Sequence, residues 1–134
     1  MSIPRTNPQD DALMRAIISG NADAVRVLLG EGADPDVRDK NGLTALMWAA
    51  GSSHIEIVRE LIAAGADVNA RRGTGRTALM YAALGGRASI VSEILAAGAD
   101  VNAQDEEGLT ALKIAERHSH TEVVNLLTKA ASGG

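Results

Sequence analysis

The chain has 134 residues and a formal net charge of −4, with 46% hydrophobic residues but no Phe, one Trp and one Tyr, so a core must come from aliphatic side chains, Met and many Ala. It holds no cysteine, which excludes disulfides and thiolate chemistry, and its acidic balance argues against a nucleic-acid partner, because phosphate binding needs a cationic stripe. No stretch approaches the roughly 18 apolar residues of a membrane span and no apolar signal region lies near the N-terminus, so we expect no membrane partner and a cytoplasmic protein.

Residues 1–9 are polar and contain Pro4 and Pro8, which remove backbone donors and disfavour helix in the residue before them. We therefore expect a flexible arm at 1–9. The first helix should begin at Asp11, whose carboxylate can accept from the free N–H groups of a first turn. A second helix should follow and end before Gly30. The arm would precede one domain spanning 10–131, and a frayed tail would follow at 132–134.

The clearest pattern spans residues 39–71. Thr44 should cap a short helix, and a second helix should run from near Ile55 to Ala64. Helices this short are marginal alone, so stacking must hold them. Ser53 and Glu56 have the spacing of a capping box at the start of the second helix. Ser119 and Glu122 repeat that box in the last unit, whereas Gly20 and Gly86 hold the matching place in the other two units.

The pattern recurs every 33 residues, which indicates a repeat protein with units at about 6–38, 39–71, 72–104 and 105–131. Two glycine series carry this period: Gly32, Gly65 and Gly98 are each followed by Ala-Asp, and Gly42, Gly75 and Gly108 each precede X-Thr-Ala-Leu. Gly65 and Gly98 follow second helices, where the reversing chain favours a positive φ.

The period and the segments Gly-X-Thr-Ala-Leu, Ala-Ala, Ile-Val and Gly-Ala-Asp-Val-Asn-Ala resemble the ankyrin repeat over about residues 6–131. The resemblance implies an all-α ankyrin-repeat solenoid of four stacked helix-turn-helix units with projecting β-hairpin loops. Thr-Ala-Leu-Met, where the family usually has Thr-Pro-Leu-His, is similar to bacterial members. Packing by Met47 and Met80 should then substitute for the polar linkage that the His supplies.

The last unit differs from the inner ones in a way that predicts a cap. Lys113 and Glu116 replace apolar residues, and with Asn125 and Lys129 they make one face polar, as needed where no further unit covers the stack. The more polar first helix, with Arg15, suggests a cap at the other end. A stack capped at both ends would be a complete protein.

Three features of the sequence could be sites of chemistry, and the structural explanation is favoured for each. His118 and His120 could bind a metal, but zinc needs three or four converging ligands and no cysteine is present. Residues 72–77 are glycine-rich but lack the phosphate-loop spacing, so they indicate a hairpin tip. Asn69 and Asn102 resemble residues hydroxylated in some ankyrin proteins, although closing the hairpin is the favoured role. We expect no catalytic residue, metal or cofactor.

The resemblance implies a concave surface made of loop tips and first helices, where residues that vary between units carry recognition. Candidate partner-binding residues on the tips are Lys40, Asn41, Leu43, Thr74, Arg76, Glu106, Glu107 and Leu109. Candidates on the first helices are Trp48, Ser52, Tyr81, Leu84, Arg117 and His118.

Two questions about this surface stay open at the level of sequence. Trp48 and Tyr81 hold equivalent places in their units, and either packing between units or partial exposure as binding anchors would explain them. Arg71, Arg72 and Arg76 are either a solvated face or the complement of an acidic segment opposite the third unit.

The sequence therefore predicts a non-enzymatic protein-interaction module or adaptor that binds another protein, of unknown identity, through the concave groove and hairpin tips. The free protein should be a monomer. An accessory or inhibitory subunit that regulates an enzyme is the alternative, and it would use the same groove. A metal-dependent enzyme centred on His118 and His120 is the least favoured hypothesis.

Overall fold

The computed structural model describes residues 7–133 and folds them into eight helices. The helices are α1 Pro8–Ser19, α2 Ala22–Gly30, α3 Ala45–Gly51, α4 Ile55–Ala63, α5 Ala78–Gly85, α6 Ala88–Ala96, α7 Ala111–Arg117 and α8 Thr121–Ser132. No strand occurs within these residues. The predicted all-α solenoid of four helix pairs is confirmed.

The helices form two layers. In the inner layer α1, α3, α5 and α7 contact one another in succession, and in the outer layer α2, α4, α6 and α8 do the same. Each inner helix also packs on the outer helix of its own unit. Every unit therefore buries its apolar faces mainly against its neighbours, which is why helices of seven to twelve residues are stable here.

Small residues fill the contacts between inner helices. Ala49 and Ala50 of α3, and Ala82 and Ala83 of α5, are buried, and they lie beside larger fully buried side chains such as Leu46. Alanine lets helix axes approach closely and costs little entropy in a helix. The structure thus builds its core without aromatic residues.

The Thr-Ala-Leu segments begin α3, α5 and α7 as predicted. In α3 the Thr44 Oγ1 accepts from the Met47 N–H at 3.1 Å, and the Met47 Sδ accepts in return from the Thr44 N–H at 3.4 Å. Thr77 caps α5 through its own Oγ1, which accepts from the Met80 N–H. Methionine in α3 therefore fills space and also satisfies a buried backbone donor.

The beginning of α1 differs from the prediction. The helix starts at Pro8, not at Asp11, because Asn7 caps it by accepting from the Gln9 N–H at 2.9 Å and proline needs no donor in the first turn. Asp10 instead accepts from the Asp34 N–H at 2.8 Å, which ties the helix to the following loop. Residues 1–6 of the predicted arm lie outside the described residues. At the other end α8 is helical through Ser132, and Gly134 lies outside the described residues.

The capping boxes predicted at Ser53 and Ser119 are wrong. Ser53 has a φ of 63° and Ser119 a φ of 58°, close to the 74° of Gly20 and the 73° of Gly86. His54 and His120 are the N-cap residues of α4 and α8, and neither side chain makes a capping hydrogen bond. All four units therefore turn between their two helices through the same left-handed backbone conformation.

The histidines explain which units have glycine at that turn. A Cβ added to Gly20 would lie 2.8 Å from Cε1 of His54, and one added to Gly86 would lie 2.5 Å from Nδ1 of His120. The imidazole of the next unit thus occupies the space that a side chain would need. Where the turn has Ser53, the next unit has Arg87 at the histidine position.

The predicted β-hairpin loops are not confirmed, because the only β-pairing within residues 7–133 is one antiparallel bridge between Arg38 and Thr44. The loops are tight turns instead; the Asp39 N–H, for example, donates to the Leu43 carbonyl at 2.9 Å. Asn69 links two loops, since its Oδ1 accepts from the Asp100 N–H at 2.7 Å. The positive φ predicted at Gly65 is confirmed at 92°.

Candidate functional site

Two aromatic rings stand at equivalent positions on neighbouring inner helices, and hydrogen bonds hold both of them. The Trp48 Nε1 donates to Oδ2 of Asp39 at 2.8 Å, and Nη1 of Arg72 donates to the Tyr81 hydroxyl at 3.1 Å. Both rings are half-buried. They therefore pack between units and also keep part of their surface accessible, and their role as binding anchors stays a prediction.

A cavity of about 230 Å³ opens between these rings. Its lining residues are Leu43, Met47, Trp48, Gly51, Ser52 and Tyr81. Four of the predicted partner-binding residues thus meet in one place: Leu43, Trp48, Ser52 and Tyr81. We call this cavity the Gly51 pocket. Its wall is almost entirely aliphatic and aromatic, as in sites that bind apolar groups.

Gly51 creates the pocket because it lacks a side chain. The equivalent residues one unit before and after it are Ile18 and Leu84, which are 50% and 38% exposed. A Cβ added to Gly51 would lie 3.7 Å from Cβ of Tyr81, which is an ordinary contact. The position thus has room for a Cβ, and the lack of a side chain at Gly51 leaves space at this wall of the pocket. Comparison of the units within this sequence predicted Leu84 as a partner-binding residue but did not predict Ile18 or Gly51.

Most of the arginines near the middle of the stack hold loops together. Nη1 of Arg38 donates to the Arg71 carbonyl at 3.0 Å, and Nη1 of Arg71 donates to the Gln104 carbonyl at 3.2 Å. Nε of Arg72 donates to the Asn41 carbonyl at 3.1 Å. These contacts recur between successive units, so Arg71 and Arg72 are not a purely solvated face: the fold uses them.

Arg76 differs from these three. Its Nε lies 3.7 Å from Oδ2 of Asp105, and its guanidinium carbon lies 5.9 Å from the Tyr81 ring centroid. Among residues 7–133 it donates no hydrogen bond, and its side chain is 34% exposed. A cation with free donors therefore stands beside the Gly51 pocket.

Two aspartates at equivalent loop positions have lowered pKa values. Burial opposes the ionisation of Asp39, but hydrogen bonds from Trp48 and from the Leu43 and Asn41 N–H groups, with the charge of Arg72, together lower its pKa. Backbone hydrogen bonds, the largest from Leu109, and the nearby arginines lower the pKa of Asp105 against its burial. Both carboxylates are therefore held ionised by the loops that they support.

The remaining predicted tip residues are dispersed. Lys40, Asn41, Glu106 and Glu107 are exposed on the loop tips. Thr74 is half-buried, and its Oγ1 has no hydrogen-bond partner within the described chain. The prediction that Leu109 contacts a partner is wrong, because its side chain is buried in the core and is not available to a partner.

The end of α7 carries the last two candidates. Arg117 and His118 are exposed there, and the His118 ring stacks on that of His120 with 6.0 Å between centroids. The His120 Nε2 lies 3.1 Å from the Leu84 carbonyl oxygen. Nowhere in residues 7–133 do three His, Asp or Glu side chains converge as a metal ion would need. Of the described helices, none has the length and apolar character to cross a membrane.

Comparison with known proteins agrees with this architecture. A family model described as ankyrin repeats (3 copies) matches residues 3–72, and a second, described as ankyrin repeats (many copies), matches residues 61–115. The comparison with curated proteins found no match. Ankyrin repeat domains are typically non-catalytic and bind other proteins. With more than half of its length matched by the first model, the chain belongs to the ankyrin repeat family.

Proposed function

We propose that this protein is a non-catalytic adaptor that binds a partner protein on its inner face, meaning the exposed side of α1, α3, α5 and α7 with the adjoining loop tips. The observation that carries the proposal is the Gly51 pocket, an apolar cavity between two hydrogen-bonded aromatic rings. Aromatic residues in apolar pockets commonly supply most of the energy of a protein interface.

The rings are already in place before binding. Trp48 is fixed by Asp39, and Tyr81 by Arg72, so neither ring has to lose much rotational freedom when a partner contacts it. Ordering such side chains otherwise costs about 0.5–1.5 kcal/mol each. A preformed pocket of this kind supports recognition by a rigid surface.

Exposed apolar and polar residues lie on the same inner face as the pocket. Ile18 and Leu84 hold the equivalent positions on the flanking inner helices, and they are two of the three exposed large hydrophobic residues within the described chain. The exposed polar candidates on the loop tips and helix ends of this face are Lys40, Asn41, Ser52, Glu106, Glu107, Arg117 and His118. An apolar centre with a polar rim is the usual anatomy of a protein interface.

Gly51→Leu tests the proposal by filling the pocket without removing any existing contact. Leucine is the native residue at the equivalent position 84, so α3 should accept it. Gly30→Leu is the matched control, because Gly30 ends the outer helix α2 and has no heavy atom within 4 Å of an added Cβ. Both variants gain the same side chain, one in the pocket and one on the outer layer.

The wild type and both variants would be used to capture proteins from a lysate of the source organism after their thermal midpoints have been compared. We expect a protein that the wild type and Gly30→Leu retain and that Gly51→Leu loses by about tenfold or more, the equivalent of 1.4 kcal/mol. Equal capture by all three would show that the pocket is not the binding site. Sedimentation of the free protein would test the accompanying proposal that it is a monomer, and fractionation of source cells would test its cytoplasmic location.

A further inference from the structure

We propose, as an extension of the binding function above, that the Gly51 pocket receives an apolar side chain from a linear segment of the partner, and that a carboxylate next to that side chain pairs with Arg76. The partner segment therefore has a defined chemistry: one apolar residue and one acidic residue close together. The proposal depends on the balance of donors and acceptors around the pocket.

The carboxylates near the pocket have little capacity left to accept hydrogen bonds. Asp39 accepts from Trp48 through Oδ2 and from the Asn41 and Leu43 N–H groups through Oδ1. Oδ1 of Asp105 accepts from two backbone N–H groups, and its Oδ2 faces Arg76. These acids maintain the loop turns and are poorly placed to recognise a basic ligand.

Hydrogen-bond donors beside the pocket, by contrast, remain unused. Arg76 has five N–H donors and uses none of them in a hydrogen bond within residues 7–133; its nearest carboxylate oxygen is 3.7 Å away. The Tyr81 hydroxyl accepts from Arg72, which leaves its own proton to donate. A rim with spare donors and occupied acceptors complements a carboxylate, and guanidinium groups bind carboxylates through paired hydrogen bonds.

The distance between Arg76 and the Gly51 pocket limits how far apart the apolar and acidic residues of the ligand can be. The Arg76 guanidinium carbon is 5.9 Å from the ring centroid of Tyr81, and that ring is itself a wall of the pocket. Consecutive Cα atoms are about 3.8 Å apart, so the acidic residue should lie within one or two positions of the apolar one. Glu106 and Glu107 are exposed on the next loop tip and would repel a longer acidic run.

The experiment begins with a phage-displayed library of random linear peptides selected on the wild-type protein. Enriched peptides are synthesised with three changes: the apolar residue to Ala, the acidic residue to Asn, and both together. Affinity is read from the fluorescence of Trp48, which is the only tryptophan and lines the pocket. The protein variants are Gly51→Leu, Arg76→Gln and, as a charge control, Arg87→Gln at the exposed N-cap of α6.

We expect the enriched peptides to share an apolar residue within two positions of Asp or Glu. Gly51→Leu should weaken binding by about tenfold or more because it fills the pocket. Arg76→Gln should also weaken it by about tenfold or more, which is the lower range for a hydrogen bond between charged groups. Arg87→Gln should leave the affinity unchanged. Arg76→Gln should have no further effect on the peptide whose acidic residue is Asn, because that peptide already lacks the carboxylate that pairs with Arg76. This double-mutant cycle assigns the lost binding energy to the pair.

Other outcomes separate this inference from the proposed function. Peptides without an acidic residue that still fail to bind Gly51→Leu would overturn the pairing with Arg76 and leave the pocket as the binding site. Peptides that bind Gly51→Leu normally would overturn both proposals. Failure to enrich any peptide, or a dimer in sedimentation that Gly51→Leu dissociates, would overturn recognition of a linear segment, while lysate capture would still decide the function.

Discussion

The contact between Gly86 and His120 gives the sharpest prediction about stability. Gly86 has a φ of 73°, and an added Cβ would lie 2.5 Å from the imidazole of the next unit. Gly86→Ala should therefore cost the free energy of a left-handed L-residue, about 1–2 kcal/mol, and an overpacking term of about 1–3 kcal/mol. We expect a total loss of about 2–5 kcal/mol in the free energy of unfolding.

Gly65→Ala is the reference for backbone strain alone. Its φ of 92° is also positive, but no heavy atom lies within 4 Å of an added Cβ. The cost should be about 1–2 kcal/mol. Glycine-to-alanine changes also reduce the entropy of the unfolded chain, and because this gain is the same in both variants it cancels in the comparison.

The assay is urea unfolding followed by far-UV circular dichroism and by Trp48 fluorescence, whose agreement would establish a two-state transition. Each glycine variant is made in the wild type and in a His120→Ala background. Removing the imidazole should lower the cost of Gly86→Ala to that of Gly65→Ala and leave the cost of Gly65→Ala unchanged. The reasoning fails if the two glycine variants cost the same in the wild type, or if His120→Ala does not relieve Gly86→Ala.

Two further predictions concern the loops and caps. Because Asp39 and Asp105 have pKa values below the ordinary 3.8, the folded state binds fewer protons than the unfolded state, so stability should be complete above that value and fall as the pH drops through the folded pKa values. Asp105→Asn cannot titrate but can still accept from the backbone, so its unfolding free energy should decline less steeply on acidification; an identical slope would contradict this. Thr77→Val keeps the buried shape but removes the cap of α5, and should cost about 1 kcal/mol in urea unfolding; no loss would show that the 3.4 Å contact to the Met80 N–H contributes nothing.

The period of 33 residues predicted the helix pairs, the threonine caps and the positive φ at Gly65 because each depends on a residue whose chemistry has few alternatives. The start of α1 was harder. Asn7 and Asp11 are both good N-cap residues, and Pro8 is compatible with an arm or with a first helical position. In the structure Asn7 is the cap, and Asp10 accepts from the Asp34 N–H of the following loop, a contact between distant residues that local sequence does not predict.

The error at Ser53 has a different cause. Ser followed three residues later by Glu suggests a capping box, but the same residues arise when Ser occupies a left-handed turn just before the helix. Comparison between units does resolve the choice, since Ser53 lies in register with Gly20 and Gly86. A position that is glycine in two units of four has a backbone requirement that the other two units must share.

The sequence does not predict the Gly51 pocket directly, because candidate recognition residues are chosen among side chains that are present. Its defining feature is a side chain that is absent at a position where Ile18 and Leu84 are large. In a repeat protein the register makes such an absence detectable: a small residue between large equivalents predicts a gap on that face.

Two departures from the repeat meet at this gap. Asp39 and Asp105 each support their own loop by accepting backbone N–H groups, but the equivalent residue in the third unit is Arg72, which cannot accept. Arg72 instead reaches the Asn41 carbonyl and the Tyr81 hydroxyl, and so orients one wall of the pocket. Gly51 departs from Ile18 and Leu84 on the opposite wall. The first change gives up the carboxylate hydrogen bonds that support the equivalent loops, and Arg72, Tyr81 and Gly51 all lie at or beside the same cavity. Sequences tend to break their own local rules at functional sites, so this coincidence favours the proposal that a partner protein binds at the Gly51 pocket.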